Sequence, residues 1–239
     1  MKFTFGIITS QDYASYVPNH SLTSIFDSIA AEQIDDDVEV LVVGGSKSWT
    51  REEYRFIAFD ETQKKAWITR KKNIITAEAK YDNIVYVHDY VVLQPGWYKG
   101  MKEFGDNWDI LMTPILNADG SRFRDWTLLP HDILTPDGSS NLNALLPYDV
   151  EDLSKFMYIS GAYWIAKRRV MQGFPLDETL SWGESEDVKW SKQVREKYNF
   201  KLNPHSSVKL LKQKDRVFSE ATPELIKELQ EKVKCNSII

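Results

Sequence analysis

A single cysteine, Cys235, lies near the end of the 239 residues, which excludes an intrachain disulfide and a cysteine-based metal cluster. Nor is there an excess of positive charge. The 30 Lys and Arg stand against 35 Asp and Glu, a net charge of −5, and the two signs are interleaved. No face is built to attract a phosphate backbone, so nucleic acid is not an expected partner. No apolar run approaches membrane-spanning length, and the segment Met1 to Ile8 is too short and too β-like for a signal peptide. The sequence therefore predicts no integral membrane segment and a cytoplasmic location. Internal repeats and low-complexity tracts are also missing. Aromatic residues, by contrast, are plentiful at 13%, with eight Trp and eleven Tyr, a stock that serves core packing or stacking on sugar rings.

Short β-rich runs alternate with helix-length amphipathic segments. Phe3 to Ile8 reads as a strand, followed by a helix from Leu22 to Gln33 with Ser21 as its cap candidate. Val38 to Val43 is a nearly all-apolar strand that exits into the tight turn Gly44-Gly45-Ser46. A weaker strand at Tyr54 to Phe59, a helix at Lys65 to Ala79 and a buried strand at Ile84 to Val87 come next. Pro95 opens a helix to about Phe104, and Asp109 to Pro114 is a strand. The stretch from Asn117 to Asp149, with clustered Asn, Asp, Gly, Pro and Ser, reads as a long surface insertion. Phe156 to Ala166 resumes the apolar pattern. Glu184 to Tyr198 is a helix, Phe200 to Leu211 gives one or two strands, and Pro223 marks the start of a charged terminal helix.

Such alternation predicts an α/β fold with a mainly parallel central sheet and helices on both faces, in one domain spanning residues 1–215, with residues 216–239 as a C-terminal helix and tail. Ligands in such sheets bind beyond the carboxyl ends of the strands. Three polar segments fall there: Thr9-Ser10-Gln11-Asp12, Gly44-Gly45-Ser46 and His88-Asp89-Tyr90. Imidazole and carboxylate at a strand end suit Mn²⁺ or Mg²⁺ bridging a diphosphate, and they equally suit a hydrogen-bonded strand terminus. The acidic turn Ser181-Trp182-Gly183-Glu184-Ser185-Glu186-Asp187 enters a helix, where carboxylates are stabilised by free backbone N–H groups whether or not they do chemistry.

Val91-Val92-Leu93-Gln94-Pro95-Gly96-Trp97, after His88-Asp89-Tyr90, resembles the family 2-like glycosyltransferases of the GT-A fold, in which a strand ends in an Asp-any-Asp motif followed by an apolar stretch and Pro-Gly-Trp. Here the outer motif positions fall on His88 and Tyr90, with Asp89 between them. The segments from Gly161 to Arg168 and from Ser181 to Trp190 are similar to the family's Gly-Glu-Asp signature, and Arg70-Lys71-Lys72-Asn73 to its basic-Asn element.

The resemblance implies transfer of a sugar from a UDP- or GDP-linked donor to a glycan or other hydroxyl acceptor, inverting and assisted by Mn²⁺ or Mg²⁺. It implies Asp187 as general base and Glu186 as the residue that orients the acceptor, with the inserted Ser185 leaving Glu184, Glu186 and Asp187 open for these roles. Donor contacts would come from Thr9, Ser10, Gly44, Gly45, Lys72, Asn73, His88 and Asp89, and metal ligation from Asp89 and His88. His205 lies where some family members present a late metal- or diphosphate-binding histidine. Trp126, Trp182 and Glu184 are the candidate acceptor contacts, with His131 on the same insertion as Trp126. Tyr90, in place of the usual third-position acid, points to a rival reading: a glycan- or nucleotide-binding module that keeps the fold without turnover. A nucleotidyltransferase would call for a Gly-rich basic loop after the first strand, and Thr9-Ser10-Gln11-Asp12-Tyr13 is not one.

Overall fold

The structure is a computed structural model that describes residues 1–12, 20–50, 54–129, 143–181, 183–215 and 218–236. Its first strand, β1 (Phe3–Ile8), is buried at all six positions, in keeping with an internal strand covered on both faces. β2 (Val38–Val43) lies parallel to it, with the short β3 (Trp49–Thr50) and β4 (Tyr54–Ile57) beyond. β5 (Asn83–His88) lies parallel on the other side of β1. The remaining strands are β6 (Val91–Leu93), β7 (Ile110–Met112), β8 (Ile115–Leu116), β9 (Thr127–Leu128), β10 (Ala144–Leu145), β11 (Met157–Tyr158), β12 (Tyr163–Lys167), β13 (Phe200–Leu202), β14 (Val208–Leu210) and β15 (Ser219–Glu220). The main sheet runs β13-β7-β12-β5-β1-β2-β4-β3 and is mainly parallel; β12, between β5 and β7, and the edge strand β3 run against it. Two small sheets, β11-β9-β10-β15 and β6-β14-β8, complete the mixed α/β architecture that the alternation predicts.

The described helices are α1 (Ser21–Ala31), α2 (Ile68–Glu78), α3 (Trp97–Phe104), α4 (Arg168–Gly173), α5 (Glu186–Val194) and α6 (Pro223–Asn236). Successive strand residues point to opposite faces, and β1 uses both. Phe3 and Phe5 pack their rings 5.4 and 5.5 Å from Trp97 of α3. Gly6 on the other face lies so close to Ile75 of α2 that a Cβ would stand 2.3 Å from its Cγ2. Helices thus cover the sheet on both sides. α1 buries Leu22, Ile25, Phe26 and Ile29, the expected apolar stripe. Its cap, however, is His20 rather than Ser21: the imidazole Nδ1 accepts from the Leu22 N–H at 3.2 Å, and Ser21 is already the first helical residue.

The reading of Asn117 to Asp149 as a surface excursion needs correction in its described parts. Phe123, Trp126, Leu128 and Leu146 are buried there, and β9 and β10 pair with each other. Apolar pairs such as Leu128-Leu129 and Leu145-Leu146 are too short to show a period, yet each bridges into the core. Asp125, fully buried, pins this region by accepting from Arg122 Nε at 2.8 Å, Trp126 N at 2.6 Å, Ile115 N at 3.1 Å and Tyr148 Oη at 2.8 Å. The C-terminal segment joins the same body: β15 lies parallel to β10, and Leu229 of α6 is buried.

The register of three strands sets up the site. Ile8 is level with both Val43 and His88, so the next residues, Thr9, Gly44 and Asp89, emerge side by side at one sheet edge. The antiparallel β12 begins at that same edge, where Ala162 O accepts from His88 N at 3.0 Å.

Candidate active site

At this edge the Asp89 carboxylate accepts from Thr9 Oγ1 at 2.7 Å and from Gln11 Nε2 at 3.2 Å. The Thr9 carbonyl in turn accepts from the buried Lys71 ammonium at 2.6 Å, and Lys71 also pairs with Glu61. Gly44 has to be glycine here, with φ +145 and a Cβ that would fall 2.0 Å from Thr9 O. Beyond Thr9, the exposed Ser10 joins Asp12, Gly45, Ser46, Phe59 and Glu61 around a cleft of about 580 Å³ over the ends of β1, β2 and β4. Asp12 accepts from Ser46 N at 2.5 Å, and that hydrogen bond holds its carboxyl below the usual range. The Thr9–Asp89 bond is the joint between this cleft and a second one.

The second cleft, about 260 Å³, lies over the ends of β5 and α5 and is lined by His88, Tyr90, Gly161, Glu186 and Asp187 together with Arg124, Tyr158 and Lys214. Asp187 sits in the first turn of α5, and its Oδ2 accepts from Gly161 N at 2.9 Å. A Cβ on residue 161 would meet Asp187 Oδ2 at 2.9 Å and Glu186 Oε1 at 3.0 Å, so a glycine there is what lets both carboxylates close on the end of β12. Ser185, with φ +56 in the left-handed region, makes the sharp entry to α5 that turns them inward.

Behind them Lys72 is fully buried, donating to Gly161 O at 2.8 Å, 3.8 Å from Glu186 Oε1 and 4.3 Å from the Trp164 ring centroid. Burial pushes the Lys72 ammonium below its usual range against the pull of Glu186, and burial raises Glu186 against the pull of Lys72. His88 is held neutral, its pKa well below 6.5, by burial and then by the surrounding lysines, Lys72 foremost. Among the described residues its Nε2 has no hydrogen-bond partner.

Tyr90 stands where the third acid of a metal motif would be. Its hydroxyl accepts from Lys214 Nζ at 2.6 Å, and Lys212 Nζ lies 4.0 Å over its ring. Burial foremost, then Asp89 and Glu186, raises the phenol's pKa, so it stays neutral, whereas burial and then the neighbouring Lys212 and Arg124 bring Lys214 down to about 8. Leu211 N bonds Tyr90 O at 2.8 Å, and this is how the chain leaving β14 delivers both lysines. Toward a divalent ion the described residues offer the His88 imidazole and part of the Asp89 carboxylate, whose Oδ2 takes both hydrogen bonds. Asp89 is engaged by Thr9 and Gln11, Tyr90 by an ammonium, and no group of three His, Cys, Asp or Glu able to hold a metal occurs among the described residues.

Of the residues singled out in the sequence, Thr9, Lys72, His88, Asp89, Glu186 and Asp187 are brought together, while Ser10, Gly44 and Gly45 line the neighbouring edge. Others lie elsewhere. Asn73 is spent on a staple, bonding Leu176 O and Glu178 Oε1 through Nδ2, each at 2.9 Å, and Leu176 N at 3.0 Å through Oδ1. His205 lies against α3, its backbone carbonyl packed on Gly100 and its Nδ1 3.8 Å from Glu103, rather than in the cleft with His88 and Asp89. Trp126 is fully buried and donates from Nε1 to Val150 O at 3.0 Å, so it presents no ring to an acceptor. Glu184 is exposed and accepts from Ser181 N. Trp182 and His131 fall outside the described residues. Sequence reasoning missed Arg124, Lys212 and Lys214, and gave Gln11 only as part of a polar segment at the strand ends. The Lys-Gln-Lys run after the last apolar strand was a usable signal for the lysines; Arg124, in irregular chain, gave none.

Neither a protein-family model nor a curated protein sequence matches the chain. Solved structures do. Residues 1–349 of TarS from S. aureus superpose with a TM-score of 0.53 at 14% identity, over 96% of this chain and 63% of that one. The longer TarS structure gives 0.53 at 13%, over 99% of this chain and 39% of that one. GalNAc-T7, crystallised with UDP, GalNAc and Mn²⁺, gives 0.56 at 10%, over 98% of this chain and 48% of that one. The chain thus spans less than two thirds of these neighbours. They are GT-A-type glycosyltransferases, and the chain has the GT-A fold.

Proposed function

We propose that this chain is a glycosyltransferase that moves a sugar from a nucleoside-diphosphate donor to an acceptor hydroxyl with inversion. The observation that carries the reading is the meeting, in one cleft, of the Asp187 carboxylate at a helix start with the end of β5. The nucleoside would lie over Ser10, Asp12 and Gly45, across the ends of β1, β2 and β4, and the diphosphate would pass the Thr9–Asp89 joint into the second cleft. There Asp187 takes the proton of the acceptor hydroxyl as its oxygen attacks the anomeric carbon. The bond from that carbon to the diphosphate oxygen breaks, and its electron pair leaves with the nucleoside diphosphate. Glu186, fixed by Lys72, orients the acceptor and keeps the Asp187 loop in place.

A divalent ion, which the sequence resemblance implies and which accompanies UDP in the GalNAc-T7 structure, would be met among the described residues by His88 and a part-engaged Asp89. Asp187→Asn tests the reading. Transfer, followed as release of UDP or GDP from their sugar conjugates, should fall by about 10²- to 10⁴-fold, the usual worth of a positioned base, while donor affinity is kept. Full turnover by the variant would overturn the base assignment. The neutral, lysine-capped Tyr90 favours a second reading, a nucleotide- or glycan-binding module of the same fold. Donor binding by the wild-type chain without turnover under any divalent ion would select it.

A further inference from the structure

The second cleft also carries cations: Lys214 and Arg124 line it, and Lys212 lies over the ring of Tyr90, another lining residue. Lys214 is half-buried, yet its hydrogen bond goes to the neutral phenol of Tyr90 at 2.6 Å. Lys212, on the exposed stretch just before it, reaches over the same ring at 4.0 Å. Arg124 faces the same space, its guanidinium stacked 4.7 Å from the Phe218 ring centroid and its Nε buried without a hydrogen-bond partner among the described residues. Lys214 and Arg124 on the cavity, with the exposed Lys212 beside Lys214 over the Tyr90 ring, repel one another, and an unpartnered guanidinium N–H adds to the cost. An anion placed between them removes both penalties. Glu186 and Asp187 line the same cavity, so it carries groups of both signs.

We propose that Lys212, Lys214 and Arg124 form the diphosphate site and neutralise the leaving group without a divalent ion. The inference rests on the glycosyltransferase reading and goes further by naming what replaces the metal. Ammonium and guanidinium groups are point-charge and forked donors suited to phosphate oxygens. In the transfer, the acceptor oxygen–carbon bond forms, the carbon–phosphate oxygen bond breaks, the acceptor proton goes to Asp187, and the added negative charge on the departing diphosphate meets these three cations. The Tyr90 hydroxyl holds Lys214 in position where a third carboxylate would have attracted a metal and competed with phosphate.

Calorimetric titration of UDP and GDP into the full chain, with EDTA, with Mn²⁺ and with Mg²⁺, tests this. One nucleoside diphosphate should bind in EDTA, with an affinity that added Mn²⁺ or Mg²⁺ leaves nearly unchanged. Lys214→Met should weaken it by about 10- to 100-fold, the loss of one charge-assisted phosphate contact, and Lys214→Arg should retain most of it. Lys212→Met, at an exposed position that leaves the fold untouched, should weaken it as well and flatten its salt dependence. Binding that appears only with Mn²⁺ or Mg²⁺, or that survives both Met variants at full strength, overturns the cationic site and leaves the glycosyltransferase reading standing. No binding of either nucleotide under any condition removes both.

Discussion

Lys72→Met asks whether the ion pair behind the cleft holds the catalytic loop. The methionine keeps the aliphatic packing on Trp164 but removes the charge 3.8 Å from Glu186 Oε1 and the bond to Gly161 O. At an effective dielectric of about 20, opposite unit charges at that separation attract by about 4 kcal/mol. Because both groups are almost wholly out of water, removing one leaves a buried charge uncompensated, a loss of about 3–5 kcal/mol. For a chain of this size that lowers Tm by roughly 10 °C. Glu186→Gln should cost less, about 1–3 kcal/mol, since Gly161 O still accepts from Lys72. The double variant is the decisive member: with neither charge buried, it should recover about 2–4 kcal/mol relative to the sum of the single losses. Urea unfolding of the four proteins measures that coupling. Single losses that simply add, within about 0.5 kcal/mol, would refute the pair as the element that fixes the loop.

Three further outcomes follow from the same geometry. Native His88 stays neutral where an unfolded histidine takes up a proton near pH 6.5, so the unfolded state binds more protons below that pH and unfolding free energy falls as pH falls. Compared with His88→Gln, the wild-type chain should lose about 1.4 kcal/mol per pH unit below about pH 6; parallel stability curves from urea titrations over that range would sink the assignment. Thr9→Val removes one of the two donors to Asp89 and should cost about 0.5–1.5 kcal/mol of stability while loosening the joint between the two clefts, read as a rise in donor Kd in calorimetry. Asp125→Ala strips the acceptor from Arg122, Trp126, Ile115 and Tyr148 at once and should lower Tm by roughly 10 °C; a shift within about 1 °C would mean that region is held by something else.

How far the sequence reaches into this fold depends on what each element needs. β1 and β2 are legible to the residue because short β-rich runs that are mostly apolar, Phe3 to Ile8 and Val38 to Val43, have few other uses. Asp187 and Glu186 stand out in the sequence through a likeness to a Gly-Glu-Asp signature at a helix start, and both line the second cleft. Asn73 and Trp126 mislead for a common reason: each carries a side chain suited to a ligand, and each spends its polar groups on backbone that the sequence cannot show to be near, at Leu176 and Val150. Conversely, Lys212 and Lys214 give only a short basic run and Arg124 no local pattern, since the chain leaving β14 and the stretch before β9 meet only in three dimensions. The charge of a site is therefore the least legible part of it. A motif read in isolation gives Tyr90 as a missing acid; with Lys214 on its hydroxyl and Lys212 over its ring, the same position is one that has exchanged a negative charge for two positive ones. The anion preference proposed for this cleft rests on that exchange and on no residue of the motif alone.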